Sequence, residues 1–265
     1  MNCLICQSPT DKYLVATVLR KYEVTYTKCR SCGFIATETP YWLDEAYDSA
    51  ITSLDIGLPR RNLHWMPVVE AIIRQWFVAG DAFLDYGGGY GLFVRLMRDQ
   101  GFNFYRQDTY CANLFAKHFD ISDYPDQTVF GMVTAFEVFE HLPDPLNSVE
   151  HMLSYSDNIL FSTELQPGTN VTPATWWYFT PDTGQHVSLY TKESLSRLAD
   201  QLGLRLYSDG QHLHMLTRER ISEMWFKILA RPSFAKVQNQ LMPGRRETLL
   251  NSDFELVSQK VPILH

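Results

Sequence analysis

A glycine ladder follows a strand-like run near the middle of the chain, and it limits the folds open to this sequence. Residues 84–91 read LDYGGGYG, and a helical pattern begins at Leu92. Glycines at positions 87, 89 and 91 remove the side chains that would hold a ligand away from the backbone. A strand, a glycine turn and a helix in succession are typical of an α/β fold with a ligand at the end of the strand. A glycine-rich turn without a ligand is the alternative on this stretch alone.

Two nucleotide-type patterns compete for this ladder. The dinucleotide fingerprint Gly-x-Gly-x-x-Gly needs a small residue at its last position, where the helix packs on the strand. Counted from Gly87, that position holds Leu92, which is too large. The pattern Asp-x-Gly-x-Gly-x-Gly fits residues 85–91 without a mismatch. The acid at its head can order the polar end of a bound small molecule.

The bulk composition excludes several classes of protein. The chain has 265 residues, of which 45% are hydrophobic and 20% charged, as expected for a globular protein of one large or two small domains. A net charge of −7 argues against a nucleic-acid partner, which normally requires a basic face. We see neither a signal peptide nor an apolar run long enough to cross a membrane, and therefore expect a cytoplasmic protein with reduced thiols.

Four of the five cysteines form two Cys-x-x-Cys pairs, Cys3 with Cys6 and Cys29 with Cys32. The β-leaning residues between the pairs predict a hairpin that brings the two turns together. Four thiolates at this spacing are typical of a tetrahedral structural zinc site without an open coordination position. We therefore predict a zinc-ribbon-like module over residues 1–38 that binds structural Zn²⁺. A redox role is disfavoured because neither pair starts a helix in a βαβ unit.

Strand and helix patterns alternate after this module. We interpret residues 39–60 as a connector, 61–242 as the main domain and 243–265 as a mostly polar tail. The predicted elements of the main domain are a helix at 63–78, a strand at 82–85, a helix at 92–100, a strand at 103–107, a helix at 113–118, a third strand near 119–124, a strand at 131–136, a helix at 145–154, a strand at 158–162, a helix at 192–202, strands at 204–208 and 212–217, and a helix at 221–229. This order predicts an α/β fold with a doubly wound, mostly parallel sheet and an antiparallel pair at one edge.

Three segments, in the expected order, resemble the class I S-adenosylmethionine (SAM) dependent methyltransferases. The ladder at 85–91 is similar to their motif I, and Asp108 follows the second strand. Residues 136–145, FEVFEHLPDP, resemble a signature that follows the fourth strand in many small-molecule members of this family. The resemblance covers about 60 residues of the core. It implies a Rossmann-like class I methyltransferase fold and SAM as the cofactor.

The resemblance also implies roles for individual residues. Asp85, Gly87 and Gly89 are expected to bind the methionine end of SAM, and Asp108 to accept hydrogen bonds from the ribose hydroxyls. Glu137 begins the fourth-strand signature and borders the region of methyl transfer, where acidic groups favour the sulfonium cation.

The acceptor side lies in segments beyond the core. The cysteine pairs, the WWY triplet at 176–178 and the segment at 184–190 are similar to methyltransferases of bacterial polysaccharide and natural-product clusters. This likeness implies a small-molecule acceptor, with a sugar or glycan-precursor hydroxyl as one candidate. The Tyr-x-Glu-His stretch that carries the base of the sugar C-methyltransferases is absent, which favours O-methylation. The WWY triplet is interpreted either as a wall of the acceptor pocket or as a hydrophobic cover over the sheet.

A base with a pKa near neutral would remove the acceptor proton. His186 is the predicted base, ahead of His141, which the resemblance makes a loop-positioning residue. Two other functions stay open: a non-catalytic, SAM-binding zinc adaptor, and an RNA methyltransferase. The acidic balance opposes the second, as does the absence of the Asn-Pro-Pro-aromatic tetrapeptide of many amino-directed nucleic-acid enzymes.

Overall fold

Two β-sheets organise the chain in the computed structural model, which describes residues 2–48, 55–78, 80–244 and 246–260. The strands are β1 (Thr10–Val18), β2 (Tyr22–Cys29), β3 (Ile35–Thr37), β4 (Ala82–Tyr86), β5 (Asn103–Gln107), β6 (Met132–Phe136), β7 (Asn158–Ser162), β8 (Ser188–Leu189), β9 (Arg205–Ser208) and β10 (Leu213–Thr217). The α-helices are α1 (Leu43–Ala46), α2 (Leu58–Trp76), α3 (Leu92–Asp99), α4 (Pro145–Leu153), α5 (Lys192–Gln201), α6 (Glu223–Leu229), α7 (Pro232–Leu241) and α8 (Leu250–Lys260). None of the helices in the described part of the chain is both long and apolar enough to cross a membrane.

The larger sheet has six strands in the order β5-β4-β6-β7-β10-β9. Strands β5, β4, β6 and β7 run parallel, whereas β10 is antiparallel to both β7 and β9. The predicted doubly wound, mostly parallel sheet with an antiparallel pair at one edge is therefore confirmed. Since β5 lies on one side of β4 and β6 on the other, the strand order reverses at β4, which is where such sheets leave a crevice for a ligand.

Helices cover both faces of this sheet, which explains why its inner strands are mostly apolar, with buried exceptions such as Asp85, Thr134 and His214. Successive side chains of a strand point to opposite faces. Phe83 accordingly packs with α2 and α3, and its neighbour Leu84 packs with α4 and α5. The two layers fix the sheet, and with it the carboxyl ends of β4, β5 and β6.

The helix predicted at 113–118 and the strand predicted at 119–124 were wrong. Asn113 bonds the backbone of Ala116 in both directions, accepting from its amide at 2.9 Å and donating to its carbonyl at 2.6 Å. A side chain that satisfies backbone groups locally competes with helix formation. In place of a strand, Asp120 forms an isolated bridge with Arg106 and then caps a short 3₁₀ turn at Ile121–Asp123.

The smaller sheet has the order β1-β2-β3-β8. The predicted hairpin is β1 and β2, whose ladder runs antiparallel. Strand β8 comes from the main domain and pairs with β3, so the cysteine-bearing module shares its sheet with residues far along the chain. The Thr191 hydroxyl adds a hydrogen bond of 2.6 Å to the carbonyl of Cys32.

The connector and the tail contain more structure than their composition suggested. In the connector, of which residues 49–54 lie outside the described residues, Trp42 is buried and donates its indole N–H to the carbonyl of Gly184 at 2.8 Å. The segment interpreted as a polar tail contains α8, where Asp253 accepts charge-assisted hydrogen bonds from Arg98 at 2.6 Å and Arg95 at 2.9 Å.

Candidate functional site

A cavity of about 530 Å³ opens at the carboxyl ends of β4, β5 and β6. Its volume lies in the range of small-molecule sites, roughly 300–1,000 Å³. The residues predicted from sequence to bind a cofactor or take part in the reaction all line it. They are Asp85, Gly87, Gly89, Asp108, Glu137, His141 and His186.

The glycine turn after β4 presents bare backbone to this cavity. Gly87 and Gly91 adopt left-handed φ angles of 66° and 81°, which favour glycine. A Cβ atom on Gly87 would lie 2.8 Å from a methyl group of Val138, and one on Gly91 would lie 2.6 Å from the side chain of Asn113. Both contacts are too close: a side chain at position 87 would displace Val138, which lines the cavity, and one at position 91 would displace Asn113, which is not among the lining residues.

Asp108 joins the strand β5 to the glycine turn. Its Oδ2 accepts a hydrogen bond of 2.9 Å from the Gly89 amide, and its Oδ1 accepts from the amides of Tyr110 at 2.8 Å and Cys111 at 2.7 Å. Asp108 is therefore a loop cap in this structure. A carboxylate offers about four lone-pair sites, so the three amides leave capacity for a further donor from the cavity.

Asp85 lies beneath the glycine turn and is 3% exposed. The hydroxyl of Thr134 donates to its Oδ1 at 2.6 Å. Burial raises the pKa of Asp85 to about 7, and the charge of Asp108 adds to that shift. Proton uptake at this carboxyl therefore falls near neutral pH.

Glu137 adopts a left-handed φ of 53°, a conformation that costs a non-glycine residue about 1–3 kcal/mol. Ser162 holds this turn, since its hydroxyl donates to Oε1 of Glu137 at 2.7 Å and accepts from the Glu137 amide at 3.0 Å. The Tyr178 hydroxyl donates to Oε2 at 3.3 Å. The carboxylate is thus fixed at the rim where β6 ends.

His141 and His186 meet at the side of the cavity, with ring centroids 5.0 Å apart. Nδ1 of His186 lies 2.6 Å from the carbonyl oxygen of Tyr178, so this nitrogen is the donor and Nε2 keeps its lone pair. Burial lowers the pKa of His186 to about 4. Burial, reinforced by His186, also lowers the pKa of His141 well below its ordinary value. Both rings are therefore neutral near pH 7.

Glu140 joins these histidines, although the sequence marked it only as part of the fourth-strand signature. Its side chain is 0% exposed, and neither carboxylate oxygen makes a hydrogen bond of good geometry among the described residues, although the hydroxyls of Tyr178 and Thr163 lie nearby. Burial, with the nearby charge of Glu137, raises the pKa of Glu140 well above its ordinary value. The signal that could have found the cluster is the adjacent Glu-His pair at the end of a buried strand.

The three residues of the WWY triplet, predicted either to form a wall of the acceptor pocket or to cover the sheet, do not share one environment. Trp176 is 4% exposed, its indole N–H donates to Glu164 at 2.9 Å, and it packs in the hydrophobic cluster of the smaller sheet, so it does not form a wall of the cavity. Trp177 lines the cavity and is 67% exposed, while Tyr178 lines it from a buried position.

The aspartate, glutamate and arginine side chains that line the cavity are mostly acidic, and Asp85 and Glu140 among them have raised pKa values. Among the described residues they are Asp55, Asp85, Asp108, Glu137, Glu140 and Arg61. Arg61 is paired with Asp55 through two hydrogen bonds of 2.7 and 2.6 Å. The cavity therefore suits a cationic ligand better than an anionic one.

The four paired cysteines meet at one end of the smaller sheet as free thiols. The Sγ atom of Cys6 lies 3.4 Å from Sγ of Cys29 and 3.6 Å from Sγ of Cys32. Sγ of Cys3 lies 3.7 Å from Sγ of Cys32. Tetrahedral zinc with Zn–S bonds of about 2.3 Å requires sulfur separations of about 3.8 Å. The amides of Ser31 and Cys32 donate to Cys29 Sγ at 3.4 Å, as expected where thiolates need stabilisation. The cluster fits a structural zinc ion.

A comparison with protein families matches residues 61–209 to the family described as "Methyltransferase domain". This match covers most of α2, the strands β4 to β7 and β9, and every cavity residue discussed above except Asp55. No curated protein matches the chain by sequence.

Solved structures also resemble the chain. The plantazolicin methyltransferase BpumL, in complex with a monoazolic desmethylPZN analog and SAH, is 12% identical, with a TM-score of 0.45 over 67% of this chain and 89% of its own. CalO1, a methyltransferase in calicheamicin biosynthesis, is 17% identical, with a TM-score of 0.41 over 67% of this chain and 61% of its own. The mitomycin 7-O-methyltransferase MmcR is 10% identical, with a TM-score of 0.43 over 58% of this chain and 54% of its own.

Proposed function

The chain belongs to the class I SAM-dependent methyltransferases, and we propose that it transfers the methyl group of SAM to a hydroxyl oxygen of a small molecule. The family match over residues 61–209 supports the reaction type. The single observation that supports a small acceptor is the cavity, because about 530 Å³ must accommodate the cofactor together with the reacting end of the acceptor.

The residues that line the cavity fit SAM. The bare backbone at Gly87 and Gly89 admits a ligand close to the end of β4, and Asp108 has capacity for a hydroxyl donor. Glu137 adds negative charge where a sulfonium cation is favoured, and Asp85, whose pKa is about 7, adds charge as the pH rises above neutral. When bound, SAM supplies a methyl group on a sulfonium centre whose leaving group is a neutral thioether.

The protein's own contribution is orientation and the exclusion of water. Ser162 and Tyr178 fix the carboxylate of Glu137 at the end of β6, so this wall of the cavity does not need to reorganise when a ligand binds. Trp177 can cover the mouth of the cavity and pack on a flat or sugar-like acceptor. A ring that excludes water from the site protects the activated methyl group from hydrolysis.

The acid-lined cavity supports an acceptor that is neutral or cationic. A phosphate-rich acceptor such as RNA would meet the carboxylates of Asp108 and Glu137, and Arg61 is already paired with Asp55. A hydroxyl on a sugar or glycan precursor is compatible with these properties and is the finer form of this proposal.

The proton acceptor in this reaction stays a prediction. His186 keeps a free Nε2 toward the cavity, which supports its choice over the other histidines. Its low pKa makes it a weak base, since a general base works best when its pKa is near the working pH.

The experiment that tests the proposal is a calorimetric titration of the full chain, zinc-loaded, with SAM, followed by measurement of S-adenosylhomocysteine release over a panel of hydroxylated acceptors. We expect micromolar SAM binding and acceptor-dependent release. Absence of SAM binding by folded protein would contradict the proposal. SAM binding without release over the whole panel would instead support the non-catalytic adaptor.

A further inference from the structure

We propose that Glu140, His141 and His186 bind a divalent transition-metal ion at the side of the cavity, separate from the four-cysteine cluster. One ligand atom from each residue lies within 4.8 Å of the others. Two imidazoles and one carboxylate are a donor set that binds zinc or iron(II) and leaves coordination positions open.

The first observation behind this site is the state of Glu140. A fully buried carboxylate is costly unless it is paired or coordinates a metal. Glu140 is 0% exposed, and neither of its oxygens makes a hydrogen bond of good geometry among the described residues, although the hydroxyls of Tyr178 and Thr163 lie nearby. Its Oε1 instead faces Nε2 of His141 at 3.9 Å. A cation between these atoms would satisfy the carboxylate.

The second observation is the orientation of the histidines. Histidines that ligate metals almost always donate their other ring N–H to a carbonyl, a carboxylate or water. His186 does so through Nδ1 to the carbonyl of Tyr178 at 2.6 Å, which leaves Nε2 with its lone pair. Nδ1 of His141 lies 3.1 Å from the Tyr47 hydroxyl, which can accept in the same way and leave Nε2 of His141 free.

The separations suit a small ion. Bonds of about 2.0–2.2 Å from zinc to imidazole nitrogen and carboxylate oxygen place two ligand atoms roughly 3–4 Å apart. The 3.9 Å between His141 Nε2 and Glu140 Oε1 already meets this condition. The ligand atoms of all three residues lie within 4.8 Å of one another, and a small rotation of the side chains would bring them to these separations. The protein donates three ligands, and the cavity side of the ion stays open to an oxygen of a ligand.

This inference deepens the proposed function, on which its catalytic meaning rests. Given methyl transfer to a hydroxyl, an ion at this place would bind the acceptor oxygen and increase its acidity. His186 would then be a metal ligand, and the proton of the acceptor hydroxyl would pass to the carboxylate of Glu137, which lines the same cavity. Metal binding itself can be measured without any acceptor.

Cobalt(II) titration of the zinc-loaded full chain is the direct test. The four-cysteine cluster keeps its zinc, so added Co²⁺ reports other sites. We expect one saturable equivalent of Co²⁺ with a visible d–d absorption and without the near-ultraviolet thiolate-to-metal band that cysteine ligands give. His186→Ala and His141→Ala should weaken this binding more than about tenfold. The matched control is His212→Ala, which removes an exposed histidine outside the cavity and should leave binding unchanged.

Zinc content and thermal unfolding of each variant show whether it is folded, and His186→Gln is a milder second variant should His186→Ala fail to fold. No saturable Co²⁺ binding, or equal binding in the histidine variants, would overturn the site. SAM titration of the same samples separates the two proposals. If the wild-type protein binds SAM but not Co²⁺, the metal site alone is rejected. If the folded wild-type protein does not bind SAM, the proposed function is rejected.

Discussion

The backbone amide of Gly89 donates a hydrogen bond of 2.9 Å to the carboxylate of Asp108, which joins the turn after β4 to the acid after β5. Two residues predicted separately to bind SAM are therefore one structural unit. A ligand that engages one of them meets the other without rearrangement of the backbone.

Asp108→Ala should weaken SAM binding at least about tenfold, which corresponds to about 1.4 kcal/mol. The variant loses the acceptor for ribose hydroxyls and leaves the amides of Gly89, Tyr110 and Cys111 without a partner. Isothermal titration calorimetry measures the effect, with Asp126→Ala as the control because Asp126 is exposed and outside the cavity. Equal affinities for both variants would remove Asp108 from the cofactor site.

Gly91→Ala should reduce both stability and SAM binding. Its new Cβ would lie 2.6 Å from Asn113 and 3.1 Å from Ala116, in a backbone conformation with φ of 81°. We expect a loss of about 1–3 kcal/mol in the free energy of unfolding. Gly210→Ala is the matched control, because Gly210 also has a positive φ but has nothing within 4 Å of an added Cβ. If both variants bind SAM as the wild type does, the turn does not shape the cofactor site.

Asp85 should make stability depend on pH. Its pKa rises from 3.8 to about 7 on folding, so between these values the folded protein holds a proton that the unfolded chain has released. The contribution of Asp85 to the free energy of unfolding is present at low pH and falls as pH rises toward 7. Asp85→Asn removes that dependence.

We therefore expect the stability of Asp85→Asn relative to the wild type to increase by about 2 kcal/mol between pH 5 and pH 8. Urea unfolding at the two pH values measures this, and Asp126→Asn, which changes an exposed acid, should show no such difference. An unchanged difference between Asp85→Asn and the wild type at the two pH values would rule out a raised pKa.

Cys29→Ser should lose zinc and lower the thermal midpoint by about 5 °C or more, because a structural zinc ion contributes directly to folding. The loss should reach the cavity, since β3 follows the second cysteine turn and pairs with β8, which lies just beyond His186. Metal analysis and calorimetry with SAM measure both effects. Cys111→Ser should keep its zinc, because Cys111 lies outside the cluster. Full zinc content and an unchanged midpoint in Cys29→Ser would contradict the predicted site.

The local sequence pattern was sufficient to predict most strands of the larger sheet. Strands β5 and β7 begin and end where the sequence predicted; for β7 the reason is that a buried parallel strand is a short apolar run between turn signals. The region around Asn113 was wrong, since one side chain satisfies the backbone there and nothing in the periodicity reveals it. Strand β8 was missed for another reason: two residues paired with a distant strand carry no periodic signal.

The site divides in the same way. Asp85 lies near the end of β4, Gly87 and Gly89 follow β4, and Asp108 follows the neighbouring strand β5, so topology alone brings them to one cavity. The meeting of Glu140 with His186 depends on how the long segment after β7 folds back, which the sequence does not specify locally. The same limit applies to the WWY triplet, where only the structure shows that Trp176 turns inward and Trp177 outward.

Strand β8 of the main domain completes the sheet of β1, β2 and β3, so the amino-terminal module depends on the main domain for one of its strands. A chain shortened to begin at α2 would expose the apolar side of Leu189 and leave an open strand edge, which invites aggregation. Transplanting this metal-binding unit onto another scaffold would require that scaffold to offer a matching strand. An engineered form of this protein should therefore keep the amino-terminal module and the main domain together.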